Sequence, residues 1–187
     1  MVIGCDNGLE GGLCAVSAFD GGVVGFAPMP TLQRGRKREI DVRAVADWCA
    51  AWDTPFVFVP EEPLHFAPTL ASMRSMALSF GQLLALAALR GWPCHPTEPG
   101  PWQGAMLGRF AKGQSKVRAL AVAQDLAPEE AWLATPRSTT PHSGIVDAFL
   151  IARWWLQQQK RKKELAHCLF GALVVGLHKT TPPPKHQ

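Results

Sequence analysis

Residues 1–19 read Met1-Val-Ile-Gly-Cys-Asp6-Asn-Gly-Leu-Glu-Gly-Gly12-Leu-Cys-Ala-Val-Ser-Ala-Phe19. An apolar strand ends in an acid, a glycine-rich turn follows, and a second apolar run begins. Gly8, Gly11 and Gly12 are expected to supply the positive φ angles that a tight strand-to-strand turn needs. They also leave bare backbone, so a phosphate or a metal ion can come close. A carboxylate fixed at a strand end beside open space suits a hard divalent cation, provided that other carboxylates converge on it.

Two further acids have similar settings. Phe56-Val-Phe-Val-Pro-Glu61-Glu62 is a second apolar strand ending in acid, and His142-Ser-Gly-Ile-Val-Asp147-Ala-Phe-Leu-Ile-Ala opens a late helix. Two carboxylates at strand ends and one at a helix start is a layout similar to that of the ribonuclease H-like nucleases. The ordered motifs resemble one branch of them, the RuvC-type Holliday junction resolvases. Asp6-Asn-Gly resembles the family's first-strand acid and turn, and Glu61-Glu62-Pro63 its fourth-strand acid. Ser72-Met-Arg-Ser-Met-Ala-Leu-Ser-Phe-Gly81 resembles the helix that follows. Pro99-Gly-Pro-Trp102, then Ser115-Lys116-Val-Arg118, then Asp147-Ala148 complete the order over residues 1–157. The wider His/Asp spacing at the last motif is similar to that of the plant organellar resolvases.

The resemblance implies a structure-selective endonuclease that resolves four-way DNA junctions by paired nicks, with branched DNA and a second copy of the chain as partners. It implies Mg²⁺ or Mn²⁺, two ions per active site, about 4 Å apart in such chemistry. Asp6 would bridge the two ions, Glu61 would hold one and Asp147 the other. Strand alternation sends Glu61 and Glu62 to opposite faces; the family's acid stands two residues before the proline, which selects Glu61. Lys116 resembles the family's lysine beside the scissile phosphate, where a point charge is useful. Phe66, followed by Leu64 and His65, lies where relatives insert a side chain at the junction centre. Trp102 reads as a core residue.

His142 is the least regular feature. Family members often carry an acid or a histidine three residues before the final Asp, but here that position is Gly144. Within a continuous helix, five residues rotate about 500°, which sets His142 and Asp147 about 140° apart. His142 can join the site as a ligand or water-orienting group only from ahead of the helix, where Pro141 favours an extended approach. The plainer role for it is a helix cap.

With 187 residues, of which 47% are hydrophobic, the chain suits one domain with a sizeable core. The net charge of +4 is a mild excess, consistent with a nucleic-acid partner. It is clustered at Arg34-Gly-Arg36-Lys37-Arg38, at Arg109, Lys112, Lys116 and Arg118, and at Lys160-Arg-Lys-Lys163. Arg36, Lys37, Arg38, Lys112, Lys116 and Arg118 are the candidate phosphate contacts. Five cysteines without a Cys-x-x-Cys pair read as reduced thiols. No leader-like segment precedes the first strand, and the apolar run from Cys168 to Leu177 is too short to span a bilayer. The expectation is a cytoplasmic protein of a bacterial or phage-infected cell, without a membrane partner.

The elements expected along the chain are three antiparallel strands within residues 2–27, a basic loop from Pro28 to Glu39, and a helix from Asp41, as N-cap, to Trp52. A buried parallel strand follows over Pro55–Val59, then a long apolar helix over Ser72–Arg90, which also offers a dimer surface. A short strand over Trp92–His95, a Gly/Pro-rich stretch over Thr97–Gly113 and a basic helix over Gln114–Asp125 come next. A long connection over Ala127–Pro141 leads to a last helix from Ser143 to about Leu165. The expected fold is α/β, a ribonuclease H-like mixed sheet flanked by helices, with residues 1–165 as the resolvase domain and 166–187 as an extension with a Pro-rich tail. Gly171–Leu177 is open between helix, strand and dimer contact. A phosphate-cradling kinase or actin-like ATPase would need a second lobe and a second phosphate loop, and neither is seen. Two alternatives stay in play: a nuclease of the same fold acting on RNA or other DNA, and a non-catalytic nucleic-acid-binding module.

Overall fold

A computed structural model describes residues 1–64 and 69–178, with the side chains of 168–178 left aside. Three strands come first: β1 (Val2–Asp6), β2 (Gly12–Val16) and β3 (Val23–Pro28). Each pairs antiparallel with the next, β1 to β2 in the register Asp6↔Gly12 and β2 to β3 in Gly12↔Pro28. β6 (Val57–Pro60) then lies parallel to β1 on its other side, in the register Val2↔Val57, giving the order β3-β2-β1-β6. The stretch after Trp92 adds only isolated parallel pairings beyond β6, Phe58↔Cys94 and Glu61↔Thr97. His95 N and Thr97 N donate to Phe58 O and Pro60 O, but Pro60 has no N–H to return to His95 O, so the ladder is interrupted and no regular strand forms.

The basic stretch differs from expectation. It is a hairpin of β4 (Thr31–Arg34) and β5 (Lys37–Ile40), with Gly35 at φ 62° in the turn. Its charged residues mask the alternation: Ile40 is buried while Arg36, Lys37 and Arg38 are exposed.

Strand alternation divides the core. Ile3, Cys5, Leu13, Ala15 and Phe58 face α1 (Val42–Ala50) and α2 (Leu70–Arg90). Val2, Cys14, Val16 and Val59 face α3 (Pro99–Leu107), α4 (Ser115–Leu126) and α5 (Ser143–His178). Asp41 caps α1, its Oδ1 accepting from Ala44 N at 3.0 Å. Thr69 caps α2 through Ser72 N, and Gly91 ends it at φ 65°. By length and composition α2 could cross a bilayer. Its residues Ser79, Leu83, Leu86 and Ala87 are nevertheless buried, while Leu70, Met73, Leu78 and Leu89 are exposed. The Gly/Pro-rich stretch forms α3, because Pro99 begins it at a position where no backbone donor is needed. Cys5, Cys14 and Cys49 are free, buried thiols. α5 runs unbroken past Leu165 and includes Gly171–Leu177; the Pro-rich tail lies outside the described residues.

α5 crosses the sheet at Gly4. A Cβ at Gly4 would stand 2.9 Å from Ala152 N and still closer to the Ala148 carbonyl oxygen. Both groups belong to backbone, so the helix itself must shift to accommodate a side chain. Gly4→Ala is therefore expected to cost about 1–3 kcal/mol as an overpacked core, seen as a lower midpoint in thermal unfolding. An unchanged midpoint would show that α5 lifts from the sheet freely.

Candidate functional site

Asp6 is the last residue of β1, and its Oδ1 accepts from Gly8 N at 3.1 Å, closing the turn over itself. Glu61 follows β6; its backbone N donates to Cys5 O at 2.8 Å, so it stands beside the end of β1. Asn7 is buried and its Nδ2 donates to Glu61 O at 2.6 Å, which locks the two strand ends together. Asp147 is the fifth residue of α5, which opens at Ser143 as the sequence suggested, and is 7% exposed.

Backbone contact fixes the start of α5. Gly11 pairs with Gly144, and a Cβ on Gly144 would lie 2.5 Å from Glu10 O and from Gly11 Cα. Contrary to expectation, Gly8, Gly11 and Gly12 do not take positive φ. Gly11 and Gly12 are needed because a Cβ there would strike backbone, 2.8 Å from Ile145 N in the case of Gly12. The turn after Asp6 and the start of α5 thus press together without side chains between them. An acid at position 144 has no room.

His142 is the N-cap of α5. Its Nδ1 accepts from Ile145 N at 3.3 Å, its carbonyl oxygen accepts from Ile145 N and Val146 N, and its own N donates to Trp132 O at 2.7 Å. Trp132 is fully buried between Phe26 and Phe149, with ring centroids 5.6 and 4.7 Å away, and takes φ 57°. Such a conformation is costly for a bulky residue and is held only by firm packing. His142 therefore sits ahead of the helix, as its spacing requires, with Nδ1 committed to the cap and Nε2 without a partner among the described residues.

The charges in the site are unbalanced. Burial, then the Asp147 carboxylate, push the Asp6 carboxyl up to about 6. Burial, then Asp6, push Glu61 up to about 8, against a hydrogen bond from Trp102 Nε1 to Glu61 Oε1 at 2.7 Å. Burial raises Asp147 too, although Lys116 forms an ion pair with its Oδ2. Burial opposes the charge on Lys116, but Asp147, with Asp6 and Glu61, holds its pKa above the usual lysine value. Three carboxylates and one lysine leave the site short of positive charge. The chemistry of these donors, all hard oxygens, fits a divalent cation of the Mg²⁺ type. As placed, no three His, Cys, Asp or Glu groups among the described residues close on one point. Lys116 holds Asp147 and Trp102 holds Glu61.

Beside the ion pair lies a cavity of about 210 Å³ lined by Lys116, Val117, Leu120, Pro141, Val146 and Asp147, among others. Of the other candidate residues, Arg36 and Lys37 are exposed at the hairpin tip, and Lys112 is exposed in the loop before α4. Arg38 reaches the turn after β1, where its guanidinium pairs with Glu10 and donates to Leu9 O at 2.8 Å. Arg118 spends its Nε on Leu107 O, at the end of α3. The Lys160–Lys163 cluster is exposed about 20 Å further along α5, at about 1.5 Å per residue. Phe66 and His65 lie outside the described residues. Trp102 is a core residue as expected, but its bond to Glu61, and Asn7 altogether, were missed by sequence reading. The available signal was general: a buried indole N–H and a buried amide both need an acceptor.

Solved structures share this arrangement of strands and helices. Thermus thermophilus RuvC in complex with a Holliday junction substrate superposes with a TM-score of 0.53, at 17% identity, over 82% of this chain and 90% of the other. This chain has a RuvC-type fold. A second Thermus thermophilus RuvC structure gives a TM-score of 0.50 at 18% identity, over 84% of this chain and 96% of that one. No family model matches the sequence, and no curated protein does either. At such identity the RuvC likeness is one of fold, and function has to be argued from the site.

Proposed function

We propose that this chain is a metal-dependent endonuclease that nicks four-way DNA junctions. The observation that carries the proposal is that Asp6 and Glu61 stand on adjacent strand ends, with Asp147, paired to Lys116, near enough to raise the Asp6 carboxyl. Asp6, Glu61 and Asp147 would hold Mg²⁺ or Mn²⁺, with His142 Nε2 as a further ligand or water-orienting group. The bound ions would activate water and offset charge on the phosphate. Lys116, 57% exposed at its side chain, can turn from Asp147 toward a scissile phosphate. Arg36, Lys37 and Lys112 would grip flanking phosphates, and Arg38 and Arg118 would do so with what their protein partners leave free. Phe66 would enter the junction centre.

Paired nicks on a nearly two-fold junction call for two sites related by symmetry. The exposed apolar residues of α2, Leu70, Met73, Leu78 and Leu89, are the surface proposed for a homodimer. Light scattering should give twice the chain mass, and a monomer with and without junction would count against it.

The deciding assay incubates the protein with a four-way junction, a matched duplex and an RNA–DNA hybrid in Mg²⁺, and reads every strand. Symmetric nicks in the junction alone are expected. Equal cutting of duplex or hybrid would redirect the reading to a nuclease of another substrate, and no cutting with tight binding would leave a binding module.

The cap and the chemistry of His142 can be separated. Asn is as good an N-cap as a protein uses. His142→Asn should keep the melting temperature and lose at least about tenfold in cleavage rate, a modest share of the acid–base and ligand effects typical of such groups. His142→Asp should keep the cap and regain part of the rate. Parent-rate cleavage by His142→Asn would leave the residue a cap and nothing more.

A further inference from the structure

Glu61 is held from two sides by groups that the nuclease reading does not use. Asn7 fixes its main chain through the 2.6 Å bond to Glu61 O. Trp102, itself 1% exposed, gives its indole N–H to Glu61 Oε1 at 2.7 Å. Trp102 lies in the first turn of α3, which Pro99 begins, and it belongs to the same core cluster as Val59 of β6 and Phe149 of α5. The indole therefore cannot follow the carboxylate if the carboxylate turns. One of the two oxygens of Glu61 is tied to a rigid donor, and among the described residues none donates to Oε2.

We propose that Trp102 is a positioning residue that makes Glu61 a one-oxygen ligand and so sets which divalent cation the site accepts. This rests on the metal-dependent reading above. Ca²⁺ readily takes both oxygens of a carboxylate and tolerates irregular shells of six to eight ligands, whereas Mg²⁺ demands near-octahedral geometry and usually uses one oxygen of a carboxylate. A glutamate whose rotamer is locked and whose Oε1 carries an indole N–H is poorly placed to chelate through both oxygens. The lock favours the small ion over the large one. It also removes rotamer freedom that Glu61 would otherwise lose on binding.

The experiment measures Mg²⁺, Mn²⁺ and Ca²⁺ affinity by calorimetry, without DNA, on the full chain and on Trp102→Phe, Trp102→His and Asp6→Asn. Trp102→Phe keeps an aromatic ring but has no N–H; Trp102→His is smaller still and restores a ring N–H. Thermal unfolding of each variant runs alongside. The parent is expected to prefer Mg²⁺ and Mn²⁺ in an Asp6-dependent way. Trp102→Phe should lose about tenfold in Mg²⁺ affinity, in line with loss of a partner behind a metal ligand, while Ca²⁺ affinity holds or rises. Trp102→His should recover part of the preference although it packs worse than Phe. If Trp102→Phe keeps the parent's ratio of Mg²⁺ to Ca²⁺ affinity while both depend on Asp6, the positioning role fails and the metal reading stands. If Phe and His variants lose the preference equally, in step with lower melting temperatures, the residue acts through packing and the proposal is overturned. If the parent and Asp6→Asn bind metal alike, the metal reading fails and the proposal with it.

Discussion

Asp6→Asn should abolish junction cleavage, by at least about a thousandfold as expected for loss of a central electrostatic element, while junction binding stays equal or improves. Asn retains the side-chain oxygen that accepts from Gly8 N, so the turn is kept and only the charge is lost. The same variant should reveal the strain that the carboxylates place on the fold. Asp6 moves from 3.8 to about 6 and Glu61 from 4.5 to about 8 on folding. Both are raised, so the folded chain binds more protons than the unfolded chain between those limits. The stability from this source is present at low pH and lost as pH rises through about 6 for Asp6 and about 8 for Glu61. In EDTA the melting temperature should therefore fall from pH 5 to pH 9. Asp6→Asn should flatten the lower part of that fall and melt above the parent at pH 8, and Mg²⁺ should restore the parent by binding the folded state alone. Full cleavage by Asp6→Asn, or a melting temperature indifferent to pH and Mg²⁺, would remove Asp6 from the centre of the site.

Lys116→Met should change two properties in opposite directions. Methionine keeps much of the aliphatic stem and loses the ammonium group that pairs with Asp147 Oδ2. Cleavage should fall by about a hundredfold, the loss typical of one positioned charge at a developing anion. Metal affinity in the absence of DNA should rise, because a cation entering the site no longer competes with a lysine for Asp147. Junction nicking and calorimetry in Mn²⁺ measure the two. Reduced cleavage with unchanged Mn²⁺ affinity would mean that Asp147 does not ligate the ion and that its role is to hold the lysine.

The sequence already contained the sheet and its acids. The apolar runs Val2–Cys5 and Leu13–Val16, and the one ending at Glu61, are local patterns of strands buried on both faces, and strand pairing follows from them once a glycine turn joins the first two. The Asp41 cap and the apolar length of α2 were equally local. The basic hairpin was hidden because charged residues on an exposed ribbon leave no alternation to read, and α3 because its glycines and prolines argue for a loop until Pro99 is seen at a helix start. Tertiary structure alone decided the environment of the acids. Which carboxylate meets a lysine, which takes an indole N–H, and how far burial raises each depend on residues 41 positions away for Glu61 and Trp102 and 31 for Lys116 and Asp147. Gly144 shows the same division. The sequence shows only that no ligand stands there, whereas the contact of two backbones at Gly11 explains why none can. Periodicity is set by each residue's own neighbours along the chain, but a pKa, a rotamer and a steric limit are set by whatever the fold brings alongside.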